Sequence, residues 1–518
     1  MSRSENVAAW SRLTAVATLG TNRAPLPAES IWPDASLASD TESAERKLLR
    51  AAAATHLWQL AGQRTAPAPS ASNNDAPARD TQHMLSEPAA WRLARMINGE
   101  HRELIPEWLS LARSSGKTLP PHWLPVVLDA LSAPQRNEAS AVLGPTAQWL
   151  GSRNPNWALR PSAEEPSEVR WTDGTLEERR AELQAMREHD AAAARSWLQK
   201  TWLTDPPDAR EEFLKILLIG LGPQDEPFLE EALEDKRKGV RLAAAEALAR
   251  LPGSAHAKRN LDRLQVLLGF DEPKGGLLGK LRKRKLEVRL PEAPDKATLR
   301  DGIEAKPPAQ RKIGERAFWL MQMVAMAPPR HWCERFNCDA ETFLQAALAT
   351  EYAADLLSAL SAAVARHPDS EWSSSLCNAW LNQSNEPQIT ASALAALITS
   401  TAAAERLTLL HSVLSEARSR RPEVLLLLLS SVELQWNPPI TALAMNLLEG
   451  SARKDTQNWS HARNLLDSWA IRCDVATAVQ RLPDMFAQCP EKSPWRNALE
   501  QLNDNVDFRA AMRKELLK

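Results

Sequence analysis

At 518 residues the chain is several times longer than a single domain of ~100–150 residues, so it must build several units or an extended array. Hydrophobic residues make up 44% and charged residues 25%, which excludes a disordered polymer. The 63 basic and 65 acidic side chains nearly cancel, excluding a global field that would draw the chain onto nucleic acid or an anionic membrane.

In chain order, residues 1–64 read as an N-terminal helical region. Its opening lacks a signal-peptide pattern, because Arg12 interrupts a short apolar stretch that ends at Gly20. Residues 65–82 are rich in alanine, proline, serine and asparagine and predict a flexible linker. A helical region follows over 83–160. Residues 161–270 read as a core of helix pairs, with helices predicted over 176–188, 190–203 and 208–220. Residues 271–312 break the pattern with five prolines and several glycines. Within that break Leu286-Glu-Val-Arg-Leu290 alternates apolar and charged residues, which predicts a short strand and, with it, a small hairpin or arm. Residues 313–518 return to helical spacing. Here the most apolar run, Val424–Leu429, is far short of the ~20 residues needed to span a membrane.

The clearest helix pair spans 225–253. Asp225 is placed to cap a first helix, and Phe228, Leu229, Ala232 and Leu233 give it one apolar face. Asp235 to Gly239 form the turn, and a second helix runs from Val240 to Leu251 before Pro252-Gly253. Such a pair cannot bury its apolar face alone and needs stacked neighbours. The unit resembles a HEAT-like repeat, including its turn aspartate and the Val240-Arg241 pair. That resemblance implies an all-α, HEAT-like α-solenoid in which Asp235 and Arg241 form a polar ladder between repeats.

A wider resemblance rests on Leu19-Gly20-Thr21-Asn22-Arg23, the segment Gly99 to Trp108, Asn154-Pro-Asn-Trp157, Trp171 with Gly174-Thr175, Asp225 to Glu230, Leu251-Pro-Gly-Ser254 and Leu286-Glu-Val288. Over about residues 10–320 the chain is similar to an uncharacterised bacterial helical family. Members of that family are typically encoded beside SWIM-type zinc-finger proteins, MoxR-type AAA+ ATPases and von Willebrand factor A proteins. The resemblance implies partners of those kinds and supplies no reaction.

Candidate chemistry is sparse. Ser114-Ser-Gly-Lys-Thr118 ends like a phosphate loop, but Leu111 stands where its first glycine is required and Pro120-Pro121 block the following helix. Gly220-Leu-Gly222 has Asp225 in place of a third glycine. His331, Cys333 and Cys338 form a His/Cys group whose spacing falls short of a zinc pattern, so buried thiols after Pro328-Pro329 are expected and no metal or cofactor. Five cysteines, an odd number, fit a reducing, cytoplasmic setting. No nucleophile–base pair can be nominated, and no catalytic residue.

Two anomalies remain. Between Lys274 and Arg289 seven cations and one acid give a net charge of +6, with Lys280, Arg282, Lys283, Arg284, Lys285 and Arg289 as candidate partner-binding residues. A solvated loop, a docking site for an acidic protein surface and a phosphate-contacting patch all fit. Lack of interleaved aromatics disfavours single-strand stacking. The second anomaly is 19 tryptophans, most expected in the core, with Trp372, Trp436 and Trp459 near helix ends as candidate interface anchors. The expected function is a non-enzymatic interaction scaffold working with an AAA+ ATPase or von Willebrand factor A protein; the alternative is a HEAT-like nucleic-acid-binding or DNA-repair protein.

Overall fold

The computed structural model describes residues 3–26, 42–61, 83–159, 166–270, 284–309, 313–383, 386–417, 421–453, 462–491, 493 and 495–517. Among them are 27 α-helices and one two-stranded antiparallel sheet, so the protein is all-α apart from that hairpin. The chain divides into two compact units, Met1–Ala78 and Arg79–Lys518.

The first unit is a helical hairpin of α1 (Arg3–Leu19) and α2 (Ala44–Ala61). The Thr21 hydroxyl donates to Glu45 Oε1 at 2.6 Å, tying the end of α1 to the start of α2. Leu13 and Val16 are buried, whereas Trp10, Leu19, Leu49 and Leu57 remain exposed.

The second unit starts with α3 (Glu87–Ile97), α4 (Ile105–Ser115), α5 (Leu124–Ala130), α6 (Ala133–Glu138) and α7 (Ser140–Arg153). Local chemistry sets these boundaries. Ser86 caps α3 by accepting from Ala89 N, and Pro88 occupies the first turn, where a missing N–H is harmless. Gly116 ends α4 at φ 67°, so the Ser-Gly-Lys-Thr run is a helix terminus and not a phosphate cradle. Trp108 is the centre of this group: fully buried, it donates its indole N–H to Ala89 O at 3.2 Å.

Next come α8 (Glu168–Asp173), α9 (Leu176–His189), α10 (Ala191–Thr201), α11 (Pro207–Ile216), α12 (Glu226–Ala232), α13 (Lys238–Ala249) and α14 (Ala255–Gln265). The spans expected at 176–188, 190–203, 208–220 and 240–251 correspond to α9, α10, α11 and α13. A Thr175–Glu178 capping box opens α9, while the Asp190 carboxylate accepts from the N–H groups of Ala192 and Ala193 at the head of α10. Asp225 does not cap α12 by its side chain; its carboxylate accepts from Gly222 N–H at 3.0 Å and is otherwise bonded as described below.

Strands β1 (Leu268–Phe270) and β2 (Leu286–Val288) pair in register Leu268↔Val288 and Phe270↔Leu286, the hairpin expected from the alternation at 286–290. Its first strand precedes the boundary drawn at 271. Then follow α15 (Lys296–Arg300), α16 (Glu315–Met326), α17 (Arg330–Phe336), α18 (Ala340–Leu348), α19 (Ala353–Arg366), α20 (Ser370–Gln383), α21 (Pro387–Ser400), α22 (Arg406–Ala417), α23 (Pro422–Ser431), α24 (Pro438–Arg453), α25 (Ala462–Arg472), α26 (Val475–Gln488) and α27 (Trp495–Leu516).

Packing in this half is regular. α19 packs on α21, α21 on α23, α23 on α25 and α25 on α27, while α18, α20, α22, α24 and α26 form a second series of the same kind. The two series also touch each other, as α19 with α20 and α26 with α27. From α18 to α27 each helix thus packs against the next but one, and most also touch the next in sequence. Val424, Leu425, Leu428 and Leu429 of α23 are all buried to 1% exposure or less, so the most apolar run is a core helix. No described helix is long and apolar enough to cross a membrane.

Candidate functional site

The polar architecture begins with a repeated Trp–Arg–Asp arrangement. Arg179 on α9 places its guanidinium 4.4 Å from the Trp171 ring and forks onto Asp205, with bonds of 2.7 and 3.1 Å. One helix pair later, Arg210 on α11 lies 5.4 Å from the Trp202 ring and bridges to Asp235 at 3.2 Å. Trp171 and Trp202 are 31 residues apart, as are Arg179 and Arg210. The ring gives the cation an apolar, π-rich bed, and the carboxylate at the following turn neutralises it. This is a genuine polar link between successive helix pairs.

Arg241 stands 31 residues after Arg210 but has a different role. It donates to the carbonyls of Asp235 at 2.7 Å and Lys236 at 3.0 Å, closing the turn before α13. Asp235 itself takes Arg210 through its carboxylate and caps the backbone N–H of Arg237 at 2.8 Å. Thus Asp235 and Arg241 meet through backbone only. The carboxylate's cationic partner comes from the preceding helix, which a motif read within one helix pair does not reach.

Two buried aspartates anchor further crossings. Asp225 receives both Arg187 (3.1 and 3.0 Å) and Arg195 (2.7 Å), and Arg187 also donates to the carbonyls of Leu217 and Ile219. Burial raises the Asp225 carboxyl, but the arginine hydrogen bonds outweigh it and hold the group below its ordinary value. Asp301, just after α15, receives Arg259 and Arg263 of α14 and Arg300. There too burial opposes ionisation and the arginines prevail. These clusters hold loops to helices, and at Asp301 the arginines are shared with Glu230 and Glu234.

Of the basic segment, Lys280, Arg282 and Lys283 lie outside the described residues. Arg284 donates to Phe336 O at 2.8 Å and lies 4.1 Å from the Phe270 ring centre, so it fastens the base of the hairpin to the end of α17. Arg289 is an exposed neighbour of Glu287, 3.5 Å away, and Lys285 is exposed. The described cations therefore point to separate places: one inward, two outward.

His331 and Cys333 lie on α17 and Cys338 follows it. Burial pushes the Cys333 thiol up to about 11 and also raises Cys338, which favours the neutral thiol at both positions. Among the described residues no group of three or more His, Cys, Asp or Glu side chains is placed to hold a metal. Trp372 and Trp436, expected as interface anchors, are instead buried at 1% and 4% exposure, because the helix ends they occupy are covered by neighbouring helices. Trp459 lies outside the described residues.

The longest-range contacts in the second unit form a seam that the sequence does not announce. Phe508, Met512 and Leu516 of α27 join the core of α3, α4 and α5. Around them Arg92 forks onto Glu515, with two bonds of 2.6 Å, and Glu107 accepts from Arg509 at 2.6 Å and Arg513 at 2.7 Å. The Arg509 side chain is fully buried and also donates to Ala470 O, Cys473 O and Gln435 Oε1. One guanidinium thus joins α4, the turns after α23 and α25, and α27. Open grooves flank the seam, one of 660 Å³ beside His101 and Phe508 and one of 440 Å³ beside Trp436.

Fold and site together define an all-α protein of serially packed helices, stitched by arginine–carboxylate crossings and closed by its last helix. The chain belongs to a family of unknown function, DUF5691, whose model matches residues 12–516. No curated protein and no solved structure matches the chain.

Proposed function

We propose that the second unit is a HEAT-like α-solenoid acting as a cytoplasmic interaction scaffold without catalytic chemistry of its own. The observation that carries this reading is the pair of interleaved helix series from α18 to α27. Serial stacking of this kind generates long continuous faces, and protein binding is what such faces do with least added machinery. The Trp–Arg–Asp crossings at Trp171 and Trp202 support the same reading, since they recur from one helix pair to the next. The resemblance to a bacterial family encoded beside MoxR-type AAA+ ATPases and von Willebrand factor A proteins makes those the partners of choice.

The duplex-binding alternative draws less support. Arg284 is engaged with Phe336 and Phe270, and Arg289 sits beside Glu287. Co-expression with the neighbouring ATPase and von Willebrand proteins, followed by size-exclusion chromatography, tests the scaffold reading. Stoichiometric co-elution is expected. Separate elution of all components, together with salt-sensitive retention of the chain on duplex DNA, would reverse the order of the two readings.

A further inference from the structure

Cys333 and Cys338 stand at the two ends of one helix cap. α17 stops at Asn337, whose backbone turns left-handed at φ 44°. Asparagine tolerates that conformation, and it folds the chain back over the end of the helix. The amides of Asn337 and Cys338 then both donate to Cys333 O, the second at 3.2 Å. In a cap of this kind the side chain opening the last turn meets the second one beyond the helix, and those two positions are Cys333 and Cys338. A direct amide-to-carbonyl bond also holds two Cα atoms close to the ~4.4–6.8 Å that disulfides span. The thiols lie near enough that a charge on Cys338 opposes ionisation of Cys333. Both are free and only half-buried, so a small reagent reaches them, whereas Cys377, Cys473 and Cys489 are buried.

The ring that a bond between them would close contains the anchorage of the β1–β2 hairpin. Arg284 donates to Phe336 O at 2.8 Å and lies 3.4 Å from Asn337 O, and both carbonyls fall between the two cysteines. The same guanidinium lies near Cys338, where its charge favours the thiolate. Burial works the other way at both sulfurs and prevails, so attack by either thiol is slow at neutral pH.

We propose that Cys333 and Cys338 form a reversible disulfide under oxidising conditions, latching the end of α17 and with it the Arg284 anchorage of the hairpin. The proposal stands independently of the scaffold reading. The oxidant is a low-molecular-weight disulfide of the glutathione class. The Cys338 thiolate attacks one sulfur of that disulfide and breaks its S–S bond; the released thiolate takes up the proton that Cys338 gave up. Cys333, deprotonated in its turn, attacks Cys338 Sγ in the mixed disulfide. The bond between the two cysteines forms as the second small thiolate leaves and is protonated. Two electrons pass from the protein to the oxidant, and an added dithiol reverses the step. With the ring closed, the Phe336 and Asn337 carbonyls cannot swing away from Arg284.

The test incubates full-length protein with excess oxidised glutathione at pH 8, unfolds it, alkylates the remaining thiols and digests it with trypsin. Cleavage after Arg330 and Arg335 separates the two cysteines, so the disulfide appears as peptide 331–335 joined to peptide 336–366, a pair that dithiothreitol splits. The joined pair is expected in most chains, with Cys377, Cys473 and Cys489 alkylated. Cys333→Ser and Cys338→Ser should each abolish it and leave the remaining cysteine as a glutathione adduct. Brief digestion of the native protein reads the latch, because trypsin must draw the Arg284 side chain into its own pocket. Cleavage after Arg284 should be about threefold slower in oxidised than in reduced protein, since it proceeds through local opening, and Cys338→Ser should remove the difference. Free thiols at both positions, wild-type chains that stop at the glutathione adduct, or pairing with any other cysteine would overturn the disulfide. Equal cleavage after Arg284 in the two states would overturn the latch.

Discussion

Arginine is the residue on which this molecule depends most. Arg187 and Arg509 have fully buried side chains, and each is held by one shared carboxylate and several carbonyls. Removing one member of such a set leaves a bare charge in a medium that solvates it poorly. Asp225→Leu should therefore cost about 3–5 kcal/mol in urea unfolding, since it strands Arg187. Protonation acts on the same groups. His256 is buried, its Nε2 contacts Asp301 O at 2.8 Å, and its Nδ1 has no partner. Burial lowers its pKa below the ordinary 6.5, as it does for His331 and His367. The unfolded chain then takes up protons near pH 6.5 that the folded chain refuses, so stability falls as the pH drops below that value. Equilibrium unfolding at pH 7 and pH 5 should show the loss, and His256→Gln should shrink it. A second loss belongs to Asp225 and Asp301, whose carboxyls are held below 3.8. Their contribution is complete above 3.8 and disappears as the pH falls through their folded values.

Within single elements, much could be read ahead of the coordinates. Leu248 falls within the second helix predicted over Val240–Leu251 and is fully buried, so Leu248→Ala should lower unfolding free energy by about 2–5 kcal/mol. The helix spans at 176–188 and 190–203 and the strand at Leu286–Val288 were legible because apolar spacing and alternation are local codes. What was not legible joins elements. Asp225 looks like a helix cap, yet its carboxylate is claimed by Arg187 and Arg195, at least 30 residues away. Asp235 looks like a partner for Arg241, yet Arg210 occupies its side chain. Trp372 and Trp436 look exposed at helix ends, and tertiary cover hides them. The repeat at Trp171, Arg179, Trp202 and Arg210 was present in the letters. It is easily missed because the third copy replaces tryptophan with Leu233 and sends Arg241 to backbone carbonyls.

For the second unit as a whole, the decisive contact is the one between α27 and the pair α3 and α4. Residues more than 400 positions apart share one core and one ion network, so the ends of this long array are not free to fray independently. Glu107→Leu should strand the buried Arg509 and cost about 3–5 kcal/mol, read as a lower melting temperature and as faster proteolysis within 83–159. A protein whose α4–α27 contact were incidental would show neither.

The β1–β2 hairpin bears on how the chain tolerates change. Phe270 and Leu286 face each other across the ladder, so whatever sequence joins them begins and ends at nearly the same point, with Arg284 clamped to Phe336 alongside. With its two ends fixed so close together, lengthening that connection adds ~0.6 kcal/mol of closure entropy per doubling. Evolution, or an engineer, can splice new cargo there at little expense to the helices, which makes it a natural port for added epitopes, tethers or whole domains.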